Sequence, residues 1–340
     1  MKTKAQLATQ FAWIFILVAG AIILIFFISI VFKQKAISQT KLSAEVLTQL
    51  ETILTGSGLS SGTSNIIDTP EIHMELICDE SGFSQYVVNN IDGPENFPQP
   101  IFASDTIKGK QLLTWALEFS TPFKITNFLY LSDPNIKYVF INPNPEITRA
   151  FPDEFTSEIT SAIDYIETSG FHKIRLVFST QDPTTLQLPK QLQDKDLDVS
   201  AVRLASGTAT FYKRSDKSLV TEGSFPYLDQ PKIDMPSLFG AIFSQDLTSY
   251  ECNMKKAFRK MSLVAAIYAD REANLKRNFQ QRPTVYCVPE YYTGSIASLA
   301  EDSIQCSSDI RSCIGTIEED ISEIERNQNS LVRHSCPLIY

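Results

Sequence analysis

Residues Phe11 to Phe32 form a run of 22 residues without a single charge, and no other feature constrains the chain as strongly. At about 1.5 Å per residue, a helix of that length measures about 33 Å, enough to cross a hydrocarbon core of about 30 Å. A secretory signal has a shorter apolar region, roughly 7–15 residues, and ends at small residues. This run instead passes through Val31-Phe32 into Lys33. The pattern predicts a single transmembrane helix over 11–32, with membrane lipid as its partner, after a short basic leader over 1–10 that carries Lys2 and Lys4. No second run of this kind follows, which predicts a single-pass protein.

Beyond the run, Ile37, Leu42, Val46, Leu50, Ile53 and Leu54 fall near helical spacing. They predict an amphipathic stalk helix over 33–55. "GSGLSSGTSN" over 56–65 reads as a Gly/Ser linker.

The leader ends Lys4-Ala5, followed by Gln6 and the hydrophobic helix. This junction resembles an archaeal class III signal peptide, the start of type IV pilin-like and archaellin-like proteins. The resemblance covers residues 4–33 of 340. It implies cleavage between Ala5 and Gln6 by a membrane peptidase, with the apolar helix kept on the mature chain. The family carries Glu five positions into the mature chain, where this sequence has Gln10. An uncleaved signal-anchor is the alternative.

Charge separates the stem from the rest. The first 56 residues carry Lys2, Lys4, Lys33, Lys35 and Lys41 against Glu45 and Glu51, a balance of 5 − 2 = +3. The remainder has 25 basic and 37 acidic residues, a balance of −12. An acidic body lacks the basic face that nucleic acid requires. It is also repelled by an anionic lipid surface. The 43% hydrophobic content supplies a core, so the body is not a disordered tail.

Six cysteines, Cys78, Cys252, Cys287, Cys306, Cys313 and Cys336, suit an oxidising, extracytoplasmic location. None are in C-x-x-C spacing, which disfavours zinc and redox motifs. Residues 295–330 read as one long helix, which places Cys306 and Cys313 on the same side, about 10.5 Å apart along its axis. That separation forbids a bond between them. Each is expected to pair with Cys252, Cys287 or Cys336, and buried free thiols are the alternative.

The expected fold is a transmembrane helix, an α/β domain over 66–232 and an antiparallel helical hairpin over 233–340. "EIHMELICD" alternates Ile72, Met74, Leu76 and Cys78 inward, a half-buried strand that pairs with "FSQYVVN". "GKQLLTWALEF" reads as a short helix and "ITNFLYLS" as a strand. "KYVFIN" and "KIRLVFS" are strands, and Phe155, Ile159, Ile163 and Ile166 between them predict a helix. Together they predict a βαβ unit in a mixed sheet. "DVSAVRLA" and "TATFYKR" flank the hairpin signal Ser206-Gly207. Residues 246–281 predict one long helix.

No nucleotide, hydrolase or metalloprotease motif occurs, and His73, His172 and His334 stand far apart. No catalytic, metal-binding or cofactor-binding residue is assigned. Ligands of open α/β sheets bind beyond the carboxyl ends of parallel strands. That rule nominates Asn142, Asn144, Ser179, Thr180, Gln181 and Asp182. The same residue types also shape turns without binding anything. The chain therefore reads as a membrane-anchored extracytoplasmic structural or interaction protein, with a pilin-like or cell-surface component as its sharper form, whose partners are other surface proteins or itself. The alternative is a membrane-tethered enzyme or small-ligand sensor that uses those loops.

Overall fold

The computed structural model describes residues 20, 21, 24–26, 28, 29, 48, 51, 52, 56, 61–79, 82–228, 235–281, 287, 291 and 294–340. Two compact units are present, Met1–Leu50 and Glu51–Tyr340. In the first unit the described residues are helical, and the Ser29 hydroxyl donates to the Ile25 carbonyl at 2.9 Å.

Among the described residues, no helix is long and apolar enough to cross a membrane. The transmembrane helix expected over 11–32 is corrected on that finding. The junction Ala5-Gln6, residue Gln10 and most of the expected stalk lie outside the described residues. The last two linker positions, Ser64 and Asn65, belong to a strand.

The second unit holds two six-stranded sheets. The first contains β1 (Ser64–Cys78), β2 (Ser84–Val88), β3 (Ile91–Glu95), β4 (Ile101–Ala103), β5 (Thr106–Ser120) and β6 (Lys124–Ser132), in the order β3-β2-β1-β5-β6-β4. The second contains β7 (Ile136–Ile141), β8 (Ser157–Thr160), β9 (Lys173–Phe178), β10 (Asp198–Ala205), β11 (Thr208–Ser215) and β12 (Ser218–Pro226), in the order β12-β11-β10-β9-β7-β8. Helices are α1 (Pro145–Ala150), α2 (Pro236–Phe243), α3 (Leu247–Gln280), α4 (Ser295–Cys306) and α5 (Ile310–Arg333).

Several expectations hold. β1 pairs with β2 from Met74↔Val88 to Cys78↔Ser84. β7 and β9 are parallel neighbours, and β10 continues the parallel set. The β10–β11 hairpin turns on Ser206 (φ 53°) and Gly207 (φ 73°). Two consecutive positive φ values define the primed turn that suits the twist of the strands. α3 is one helix of 34 residues, capped by the Asp246 carboxylate, which accepts from the Ser249 N–H at 2.8 Å.

Three expectations fail, each for a packing reason. The segment around Trp115 is not a helix but the middle of β5, where Leu112 through Leu117 are all buried. A strand covered on both faces shows no alternation, so its apolar run mimics a buried helix.

The helix expected through Phe155–Ile166 does not form: α1 ends earlier, at Ala150, and Ser157–Thr160 is the edge strand β8, which pairs parallel with β7. The four apolar residues do not share a face. Phe155 enters the aromatic core on one side of the second sheet, and Ile163 and Ile166 enter the aliphatic core on the other. Ile159 remains 63% exposed on the edge strand between them. The chain wraps around the sheet edge, which a single helix cannot do.

The second arm of the hairpin is broken at Ser307–Asp309 into α4 and α5. The break brings Cys306 and Cys313 to a Cα–Cα distance of 5.4 Å, and they are disulfide-bonded. Only a straight helix would keep the two residues about 10.5 Å apart along its axis, and the chain bends between them. Cys78–Cys252 and Cys287–Cys336 complete the set, so all six cysteines are paired.

The aromatic core explains how the sheets meet the helices. Trp115 of β5 lies 5.0 Å from Tyr130 and 4.8 Å from Phe239, ring centroid to centroid. Phe243 of α2 reaches Tyr138 of the second sheet at 5.0 Å. α2 thus bridges the two sheets through its rings, and offset and edge contacts of this kind add to simple burial.

Candidate functional site

The carboxyl ends of β7, β9 and β10 lie side by side, with Ile141 beside Phe178 and Phe178 beside Arg203. A cleft of about 780 Å³ opens at this end. Asn144, Glu146, Ser179 and Thr180 contribute polar groups, and Glu318 of α5 faces them. Tyr227 and Leu238 supply apolar wall.

The nominated residues divide. Asn144 and Ser179 meet in the cleft, where the Asn144 N–H donates to the Ser179 hydroxyl oxygen at 3.2 Å. The Asn144 side-chain oxygen accepts from the Glu146 N–H at 3.1 Å and caps α1. Asn142 lies outside the cleft, in a left-handed conformation (φ 46°), and its amide donates to the Ser161 carbonyl at 3.1 Å. It lines a separate, shallower hollow of about 400 Å³ beside Ile159. Gln181 and Asp182 are exposed and line neither. The Asp182 carboxylate accepts from the Thr184 N–H at 3.0 Å and the Thr184 hydroxyl at 2.8 Å. Those hydrogen bonds hold its pKa below the usual carboxylate range. Most of these side chains are thus engaged in shaping loops, while Ser179 keeps its hydroxyl hydrogen to donate.

Buried cations that no sequence motif marks lie on β9 and α3. Lys173 is buried at the start of β9, and its amine contacts Asp105 at 2.6 Å, Asp198 at 2.9 Å and the Gln245 side-chain oxygen at 2.7 Å. It also donates to the Ser104 hydroxyl. The cluster ties both sheets to the α2–α3 link. Burial pushes the Asp105 carboxyl up, but the Lys173 charge together with hydrogen bonds from Lys173, Ser104 and the Thr106 N–H outweighs this and lowers it overall.

Arg175 is engaged through four hydrogen bonds. It donates to the carbonyls of Ala241 (2.9 Å), Ile242 (3.1 Å) and Gln245 (3.0 Å) and to the Ser200 hydroxyl (3.0 Å). It closes the carboxyl-terminal end of α2, where free carbonyls would otherwise be buried. Burial lowers its pKa to about 10, so it stays charged at neutral pH. The signal was present in "KIRLVF", where two basic residues interrupt an apolar central strand at every other position.

His172 and Asp133 form a third polar pair, at 3.0 Å. Asp133 also accepts the N–H groups of Lys108 (3.0 Å) and Asn135 (2.8 Å). Its carboxylate organises the turn before β7 and the approach to β9.

Lys256 of α3 is different. Its amine is buried and has no hydrogen-bond partner among the described residues. It lies 3.8 Å above the ring of Phe97. A ring face offers a desolvated cation about 2 kcal/mol, less than the several kcal/mol that burying an ion costs. Burial foremost, then the charges of Arg259 and Lys260, push its pKa down to about 7. Ser84 and Tyr86 of β2 also bury hydroxyl oxygens that find no hydrogen-bond partner among the described residues. In the sequence Lys255-Lys256 looks like part of a solvated helix face, so nothing there marks the site.

Among the described residues, no group of three or more His, Cys, Asp or Glu is arranged to hold a metal ion. No family model, curated protein or solved structure matches this chain.

Proposed function

We propose that the body of this chain works outside the cytoplasm as a structural or interaction module, associated with membrane lipid through its apolar run 11–32. Its partners are other surface proteins or further copies of itself. The observation that carries the reading is the pairing of all six cysteines into three disulfides. Disulfides persist in oxidising compartments and are reduced in a typical cytosol. The acidic balance of the body supports a protein surface as the partner in preference to nucleic acid. Protease added to intact cells tests the location. Digestion of the body without lysis supports the reading, and protection until lysis refutes it.

The sharper version is a pilin-like component, supported by the Lys4-Ala5-Gln6 junction alone. Mass spectrometry of the mature chain distinguishes the versions. An N-terminus at Gln6 supports processing, and an intact Met1 removes it.

The cleft favours a second reading, a small-ligand sensor that uses Asn144, Ser179 and Thr180. A screen of small polar metabolites by ligand-observed NMR tests it. Binding that Ser179→Ala abolishes would favour the sensor, and no binder would leave the interaction reading alone.

A further inference from the structure

Lys256 lies one helical turn beyond Cys252, on the side of α3 that packs towards the first sheet. The Phe97 ring that covers its amine belongs to the irregular link between β3 and β4 and is itself half-buried. The same ring meets Tyr86 at 5.7 Å, centroid to centroid. Ser84 precedes Tyr86 on the same inward face of β2. One wall therefore carries three buried polar groups, Lys256 Nζ, Ser84 Oγ and the Tyr86 hydroxyl, that find no partner among the described residues. Among the described residues, the charged neighbours that act on the amine, Arg259 and Lys260, are both positive. An ammonium there is unpaired and repelled, whereas a neutral amine suffers neither penalty.

A neutral aliphatic amine is a nucleophile. Its electrophile must be small, because the nitrogen has no surface open to solvent. A negatively charged product turns the repulsion of Arg259 and Lys260 into attraction. It also offers the orphaned hydroxyls on that wall an acceptor.

We propose that Lys256 is a carbamylation site for carbon dioxide. The amine lone pair attacks the carbon, and a new N–C bond forms as one C=O π bond opens onto oxygen. One N–H proton leaves to water, and the product is an N-carboxylysine with a single negative charge. No oxidant, reductant or further reactant is required. Phe97 swings outward to make room, which its half-exposed position in a link without regular structure permits.

The test uses the full chain with its disulfides intact, equilibrated with 13C-bicarbonate at neutral pH. Carbamate is read by 13C NMR and trapped with a trialkyloxonium salt for peptide mass spectrometry. The expected result is a label on the peptide that contains Lys256, absent in Lys256→Arg and several-fold weaker in Arg259→Gln. Arg259 is exposed, so that second variant keeps the fold. The proposal is overturned if wild-type protein carries no label on Lys256. It is equally overturned if Lys256→Arg gives the same labelling, spread over surface lysines. A Lys256 amine that titrates in the ordinary lysine range, with chloride or phosphate bound beside it, would make the site a simple anion site and would also overturn it.

Discussion

The sheet body and the helical tail are held together by different means. In the body, Trp115, Tyr130, Phe239 and Phe243 meet ring to ring, and one disulfide, Cys78–Cys252, spans a sequence separation of 174. In the tail, α4 and α5 bury aliphatic side chains such as Leu299, Ile317, Ile321 and Ile324. Two disulfides act there across separations of only 49 and 7. Loop-closure entropy grows with the logarithm of loop length, so the body disulfide restrains the unfolded chain most. The shortest one chiefly fixes local geometry, at the break where α4 ends and α5 begins.

That contrast can be broken by experiment. Replacing Cys78 and Cys252 together by Ala is expected to cost about 5 kcal/mol. Trp115→Ala should follow at about 4 kcal/mol, with both sheets losing hydrogen-exchange protection together, because its ring contacts bridge them. Arg175→Met leaves the buried Ala241 and Ile242 carbonyls and the part-buried Gln245 carbonyl short of a donor and is expected to cost about 3 kcal/mol in chemical denaturation. Replacing Cys306 and Cys313 by Ala should cost only about 2 kcal/mol, in the same assay without reductant. If the short-loop pair proves worth more than the long-loop pair, body and tail do not differ as described.

The smallest expected effect sharpens the tail. Asp320 of α5 is pushed up to about 6, by burial first and then by the neighbouring Asp302 and Glu323, although a hydrogen bond from Ser298 opposes the shift. A raised carboxyl pKa means that the folded state holds the proton more tightly. Stability is therefore full below about pH 4 and declines as pH rises through about 6. Asp320→Asn cannot ionise. It should stabilise the protein by about 1 kcal/mol at pH 7, discounted for partial solvent screening, and change little at pH 4. Melting curves at the two pH values check both halves.

Local patterns made much of the body legible. The strands β7 and β9, the Ser206-Gly207 turn and the length of α3 each follow from a run, a dipeptide or the absence of Gly and Pro. Residues whose neighbours come from distant segments were not legible. Phe155 and Ile163 look like one helical face, yet they serve cores on opposite sides of a sheet. Cys306 and Cys313 look incompatible until the helix breaks between them. At the candidate site, the rule about strand ends located Asn144 and Ser179 beside a cleft, but it could not separate them from Asn142, Gln181 and Asp182. Lys256 left no trace in the sequence, because the ring that covers its amine, Phe97, comes from a distant segment.

The most direct test of an extracytoplasmic, cross-linked body is thiol alkylation of the protein recovered from its own cells without reductant, followed by peptide mass spectrometry. The predicted result is no alkylated cysteine and three linked peptide pairs, Cys78–Cys252, Cys287–Cys336 and Cys306–Cys313. Six alkylated cysteines would contradict the account.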